Sequence, residues 1–268
     1  MPMNQLCKIL NLTCLFILPF IGLHAQREVS FNSFQAGEVL NYDMYFKYGL
    51  LYTKVGSSSI SMANTTYKGE GAYKATLIAN SSGLAQKVMS VSDTIHAYTT
   101  KALVPLAYTK DAHEGKDHTI ERATYTYSLN EAKVRNINRR NGKLRYDTTY
   151  VAKDCMYDVL SIIYYVRTLN YNNLKKGDKV SIPFFAGSKK GSLDIEHHGM
   201  EKITANNNKE YNCIKLVMML NDPTFQNKNE AMKIFITNDS NRIPIRIDSK
   251  LKLGSTRVIL KSYSGLRN

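Results

Sequence analysis

Histidine is the side chain that most often binds a metal or carries a proton, and this chain has six. Four of them fall in two short stretches. In "SLDIEHHGMEK", His197 and His198 stand beside Asp194 and Glu196, all residue types that ligate zinc. Successive strand residues point to opposite faces, so only one of two adjacent imidazoles could serve a given site. In "DAHEGKDH", His113, Glu114, Asp117 and His118 surround a glycine. The stretch lacks the His-Glu-x-x-His spacing that puts two imidazoles on one helix face, and it reads as a polar hairpin tip. No metal or other cofactor is expected at either place.

Nucleophiles are no better placed. Ser161 lies in "DVLSI", without the Gly-x-Ser-x-Gly elbow that exposes a catalytic serine on a sharp turn. Carboxylates such as Asp147 and Asp154 are present, but their separation in space sets their chemistry and cannot be read from sequence. "TNDSNRIP", with Asp239, Asn241, Arg242 and Pro244, has the composition of a hairpin connection. No catalytic residue is assigned.

The elements that must position these residues are mostly strands. Short alternating runs rich in Tyr, Val, Ile and Thr recur, broken by Gly, Asn and Asp: "EVLNYDMYFKYG", "TKVGSSSISMA", "GAYKATLIANS" and "HTIERATYTYSL" before the middle, "YNCIKLVMML", "EAMKIFITND" and "STRVILKSY" after it. That pattern implies an antiparallel sandwich or barrel. Residues 1–25, with Lys8, an apolar run from Ile9 to Leu23 and small Ala25, read as a secretory leader cleaved after Ala25. Residues 26–268 then form a single β-rich domain, periplasmic or secreted, with no transmembrane segment. Lys plus Arg outnumber Asp plus Glu by 36 to 22, which would suit an anionic partner; export argues against nucleic acid. The densest basic stretch, "KVRNINRRNGKLR", reads as a hairpin turning at Asn141-Gly142. "IPFFAGSKKG" sets Phe184 and Phe185 beside Lys189 and Lys190, letters that fit a lipid contact or a buried strand ending in a charged turn.

One segment departs from alternation. "DCMYDVLSIIYYVRTLN", about 154–170, predicts an α-helix whose face is formed by Leu160, Ile163 and Tyr164, widened by Val159, Ile162 and Leu169. Asp158 is its expected N-cap, with Asp154 as the alternative. Cys155 before the helix and Cys213 in "YNCIKL" form an even pair in an oxidising compartment, which favours a disulfide, two free thiols being the other reading. The architecture expected is a curved antiparallel sheet, open-barrel-like or spiral, wrapped around this one central helix.

"FQAGEVLNYDMYFKYG", "YDVLSIIYYVR" and "IFITNDSNRIPIRIDSKLKLGSTRVIL", in this order, resemble the blocks of an exported bacterial family, domain of unknown function 3108. A cysteine before the helix block, Cys155, and another in "YNCIKL", Cys213, are similar to its Bacteroidetes branch. The resemblance implies an exported, mainly β protein, with a shape similar to envelope proteins that hold lipid chains. The function expected from it is non-catalytic: periplasmic binding or envelope maintenance, with a lipid or glycan in a β-lined groove. A hydrolase of envelope polysaccharide or peptidoglycan, and a structural partner of an envelope complex, are the alternatives.

Overall fold

The computed structural model describes residues 33–88, 90–129, 131–220 and 227–268. The leader read over residues 1–25 lies outside them. The first half is an up-and-down series: β1 (Val39–Tyr48), β2 (Leu51–Tyr67), β3 (Glu70–Ser81), β4 (Val91–Thr100), β5 (Pro105–Glu114), β6 (Asp117–Ser128), β7 (Glu131–Arg140) and β8 (Lys143–Ala152). A short helix, α1 (Gly83–Val88), sits between β3 and β4. After a second helix, α2 (Ser161–Arg167), come β9 (Lys179–Ala186), β10 (Lys189–Thr204), β11 (Glu210–Met219), β12 (Met232–Thr237), β13 (Pro244–Lys250) and β14 (Ser255–Ser264).

All fourteen strands belong to one sheet, in the order β8-β7-β6-β5-β4-β3-β2-β1-β14-β13-β12-β11-β10-β9. Local chemistry makes the turns: Lys68-Gly69 and Asn141-Gly142 have positive φ at both central positions, the geometry that matches the twist of the flanking strands. The long-range step is the antiparallel pairing of β1 with β14, from Val39 opposite Ser264 to Lys47 opposite Ser255. The two outer strands then approach each other. Lys190 Nζ donates to Val151 O (2.9 Å), Tyr150 Oη to Gly187 O (2.9 Å), and Tyr157 forms a parallel bridge with Phe184. The result is a nearly closed, barrel-like sheet.

The helix expected over 154–170 is corrected to the seven residues Ser161–Arg167, followed by a single 3-10 turn, Tyr171–Asn173. The ends have identifiable causes. Residues before Asp158 are drawn into the sheet, with Tyr157 N donating to Pro183 O and Phe185 N to Tyr157 O. Beyond Arg167, the Asn170 side chain takes the amide of Asn172, a local bond that competes with helix continuation. So short a helix does not fill the hollow alone. Leu160 and Tyr164 cluster with Phe34, Leu40, Tyr42, Ile60, Met62 and Leu103. Ile162 and Val166 cluster with Tyr157, Tyr171, Phe184, Leu193 and Leu216. Met156 joins Tyr108, Tyr125, Val134, Tyr150 and Phe185 in a third cluster.

At the end of α2 lies an ion pair withdrawn from water, with Arg167 1% and Glu38 0% exposed. Arg167 Nη1 donates to Glu38 Oε1 (2.6 Å) and Nη2 to Glu38 Oε2 (2.7 Å). The guanidinium also donates to Ser33 O (2.7 Å) and, through Nη2 and Nε, to Asn241 O (2.9 and 3.2 Å). Phe34 and Tyr164 cover its faces. Burial opposes the charge, but Glu38 more than offsets it and the guanidinium is held above its ordinary pKa. Removing one partner of such a pair leaves a buried charge uncompensated. Arg167→Met is expected to cost about 3–5 kcal/mol, read as a lower denaturation midpoint; an unchanged midpoint would contradict this account of the pair.

Candidate functional site

The residues singled out in the sequence are mostly absorbed by packing. Asp158 Oδ1 accepts from Leu160 N (2.9 Å) and Ser161 N (2.8 Å), while Ser161 Oγ accepts from Asp158 N (3.1 Å). The expected cap is corrected: α2 starts at Ser161 with Leu160 at its N-cap position and no side-chain cap bond. The reciprocal Asp158–Ser161 bonds instead brace the buried turn just before it and occupy the serine hydroxyl. Tyr125 Oη donates to Asp158 Oδ2 (3.1 Å). Burial raises the Asp158 carboxyl above its ordinary pKa, opposed by these donors. Leu160 is fully buried, Tyr164 nearly so, and Ile163 is partly buried between two clusters. His198 pairs with Glu196 (2.9 Å), Asp147 with Arg135 (2.6 Å), and Phe185 lies 1% exposed among tyrosines.

The expected disulfide is corrected too: Cys155 and Cys213 are free thiols. On β11, Ile214, Leu216 and Met218 face the cluster that holds Ile162 and Val166. Alternation therefore turns Cys213 to the opposite face, into the cluster with Ile203 and Phe235. Cys155 packs instead at the edge of the helix-side cluster.

What packing does not absorb gathers at one end of the barrel. In an antiparallel series alternate turns share an end, and the β1–β2 and β13–β14 turns are brought together by the pairing of Lys47 with Ser255. The β3–β4 connection stands beside them, with Ser82 N donating to Val55 O (2.9 Å). These neighbouring turns expose Tyr48, Leu50, Leu51, Tyr52, Leu84, Val88 and Leu253, Leu50 completely. Lysines adjoin them in sequence: Lys47 precedes Tyr48, Lys87 precedes Val88 and Lys252 precedes Leu253. None of these three has an ion-pair partner among the described residues. Gly254 holds two of the turns together: at φ 79°, a Cβ there would lie 2.4 Å from Lys47 O, so only glycine fits. Behind the turns is a polar cavity of about 440 Å³ lined by Lys47, Tyr52, Lys233, Asp248, Lys250 and Arg257. Within it Lys233 pairs with Glu230 (2.8 Å) and Arg257 with Asp248 (2.7 Å).

Sequence reading missed this end because it passed from "EVLNYDMYFKYG" to "TKVGSSSISMA" over the letters between. Leu50, Leu51 and Tyr52 directly after Gly49 were the available signal. A turn is ordinarily polar, and an exposed apolar run in one asks for a functional reason.

The three stretches that carry the family resemblance meet in space, since Arg167 donates to both Glu38 and Asn241 O at the buried pair. Residues 41–261 match the model of the family described as protein of unknown function, DUF3108. The chain belongs to this family. Among solved structures, it is similar to a β-barrel-like protein of domain of unknown function DUF1849 from Brucella abortus. That likeness has a TM-score of 0.59 at 9% identity and covers 85% of this chain and 96% of the other. It is a likeness of fold alone. A candidate lipoprotein from Parabacteroides distasonis ATCC 8503 matches at 12% identity over 86% of this chain and 96% of its own, with a TM-score of 0.29 that carries no argument. No curated protein matches the chain.

In this DUF3108 member no helix among the described residues is long and apolar enough to cross a membrane. Among the described residues, the ligand atoms that come close enough to hold a metal belong to Asp111, His113 and His118. Burial pushes the Cys213 thiol up to about 12 and raises the half-buried Cys155 as well, with Asp154 adding to the latter. Since the thiolate is the nucleophile, the native chain from residue 26 is expected to alkylate slowly at both positions and to take up two equivalents once denatured without reductant. No uptake after denaturation would mean that the cysteines are bridged.

Proposed function

We propose that this DUF3108 chain is an exported envelope protein without catalysis of its own, which docks the end bearing Leu50, Leu51, Leu84 and Leu253 onto an anionic membrane surface. The single observation that carries the reading is the pairing of exposed leucines with lysines that have no ion-pair partner among the described residues, on neighbouring turns. Apolar tips immersed at the headgroup boundary leave water, and lysines just behind them meet lipid phosphates, each worth roughly 1 kcal/mol near an anionic leaflet. Tyr48 and Tyr52 belong to the same belt, where an amphipathic ring has one end apolar and the other wet. The leader pattern of residues 1–25 supports export. The filled interior supports an outer rather than an inner site, since the three clusters occupy the space that a lipid chain would need.

A second reading takes the polar cavity behind the turns as a seat for an anionic glycan. Tyr52 stacks on Tyr45 there (5.3 Å, 8°), with Lys47 and Lys250 close by. The two readings part in their dependence on the leucines.

The test is sedimentation with vesicles of phosphatidylglycerol and phosphatidylcholine. Wild-type chain is expected to bind the mixed vesicles, to release with rising salt, and to ignore pure phosphatidylcholine. Leu50→Ser with Leu51→Ser removes side chains each worth about 1.5–3 kcal/mol when fully buried, so binding is expected to fall tenfold or more with the denaturation midpoint unchanged. Equal binding by wild type and this variant would overturn the reading. Loss of binding on adding a soluble anionic oligosaccharide, with the leucines irrelevant, would favour the cavity.

A further inference from the structure

On the outer face of the β5–β6 hairpin, three side chains converge that neither packing nor the docking residues use. The turn of this hairpin lies at the same end of the barrel as the leucine-bearing turns and joins the β3–β4 connection through Gly115 N, which donates to Ser90 O (2.7 Å). The hairpin turns at Gly115-Lys116, with Gly115 at φ 63°, so that His113 lies directly opposite His118 across the two strands. Asp111, two residues before His113, shares its face. The imidazole rings stack with centroids 4.1 Å apart and 8° between planes. Both present Nε2 to the same oxygen, with His118 at 2.8 Å and His113 at 3.4 Å from Asp111 Oδ1.

We infer that Asp111, His113 and His118 form a binding site for a divalent transition-metal ion of the zinc or copper class. Two imidazole nitrogens and one carboxylate oxygen are the donor set that such borderline ions favour over magnesium or calcium, which take oxygen alone. The spacing suits them. Donors about 2.1 Å from a tetrahedral centre stand roughly 3.4 Å apart, and the three donor atoms here all lie within 4.8 Å of one another. A metal between them replaces two imidazole nitrogens crowded on one oxygen by three bonds to a cation.

The frame is braced from the next hairpin. His118 N donates to Asn141 Oδ1 (2.8 Å), while Asn141 Nδ2 (2.8 Å) and Arg140 hold Asp117. The hairpin register is therefore fixed without the metal, and the side chains are 40–58% exposed, which leaves coordination positions for water or a further ligand. Beside the trio a polar hollow of about 490 Å³, lined by Thr94, His96, Thr109 and Arg122 among others, offers room for one.

The inference is independent of membrane docking. It is tested by titrating the tag-free chain with Zn²⁺ alone by calorimetry, and with Cu²⁺ alone by electron paramagnetic resonance. One ion per chain is expected, with nitrogen hyperfine structure from two imidazoles. His118→Ala and Asp111→Asn, each with wild-type circular dichroism, are expected to weaken Zn²⁺ at least tenfold. His198→Ala, at the other histidine pair, is expected to leave it unchanged. Wild-type affinity no tighter than that of a His113→Ala, His118→Ala double variant would overturn the site, as would an equal loss in His198→Ala.

Discussion

A charge pair taken out of water dictates much of this architecture. Ionised side chains as deeply buried as Glu38 and Arg167 are tolerated only where the geometry is close to ideal and the remaining donors are satisfied. Here the fork of the guanidinium meets the carboxylate on both oxygens, and its other donors reach the carbonyls of Ser33 and Asn241. Three distant parts of the chain must therefore be in place together: the segment entering β1, the end of α2 and the turn between β12 and β13. Glu38 immediately precedes β1, the strand that joins the two halves of the sheet by pairing with both β2 and β14. A pair of this kind adds little net stability compared with a well-packed apolar substitute. Its contribution is a penalty on every arrangement in which β1 and α2 are not correctly placed.

From that placement follows a division between inside and outside. The barrel-like sheet is filled by a composite of short pieces, with α2 supplying Leu160 and Tyr164, the entering segment Phe34, and the β4–β5 connection Leu103. Several polar groups inside have structural partners: Asp158 bonds the amides of Leu160 and Ser161 and the hydroxyl of Tyr125, and the Asn136 amide donates to Glu121 and to Gly187 O. Asn136 Oδ1 and Tyr164 Oη are left without a hydrogen bond among the described residues. Residues that would carry chemistry in another setting, Ser161 and Cys213 among them, are thus enclosed in packing. The unspent features are on the surface: the leucine and lysine turns at one end, and the imidazole pair on the β5–β6 hairpin.

Much of the fold was legible because strand alternation and turn chemistry are local. Asn141-Gly142 announces its hairpin, whereas Asp158, expected as the cap, braces the turn before α2, whose N-cap position is Leu160. The length of α2 was not legible, because Met156 and Tyr157 have helix-compatible letters while a non-local bridge to Phe184 claims their backbone. The cysteine pairing failed for a related reason. Parity and compartment say nothing about which face of β11 a residue occupies, and Ile214 settles that by joining the helix-side cluster. His113 and His118 were visible as letters, but a helical spacing rule was applied where the relevant geometry is a two-residue turn, which sets residues five apart face to face. The apolar turn at Leu50 was legible and was passed over as the gap between two strand patterns.

The central claim is that a filled barrel works through one end of its outer surface. Hydrogen–deuterium exchange of the chain with and without phosphatidylglycerol vesicles tests it most directly. Slowed exchange confined to residues 47–54, 82–88 and 250–254 is the predicted result. Protection at the opposite end, around 33–38 and 238–243, or a loosening of the strands that line the interior, would contradict it.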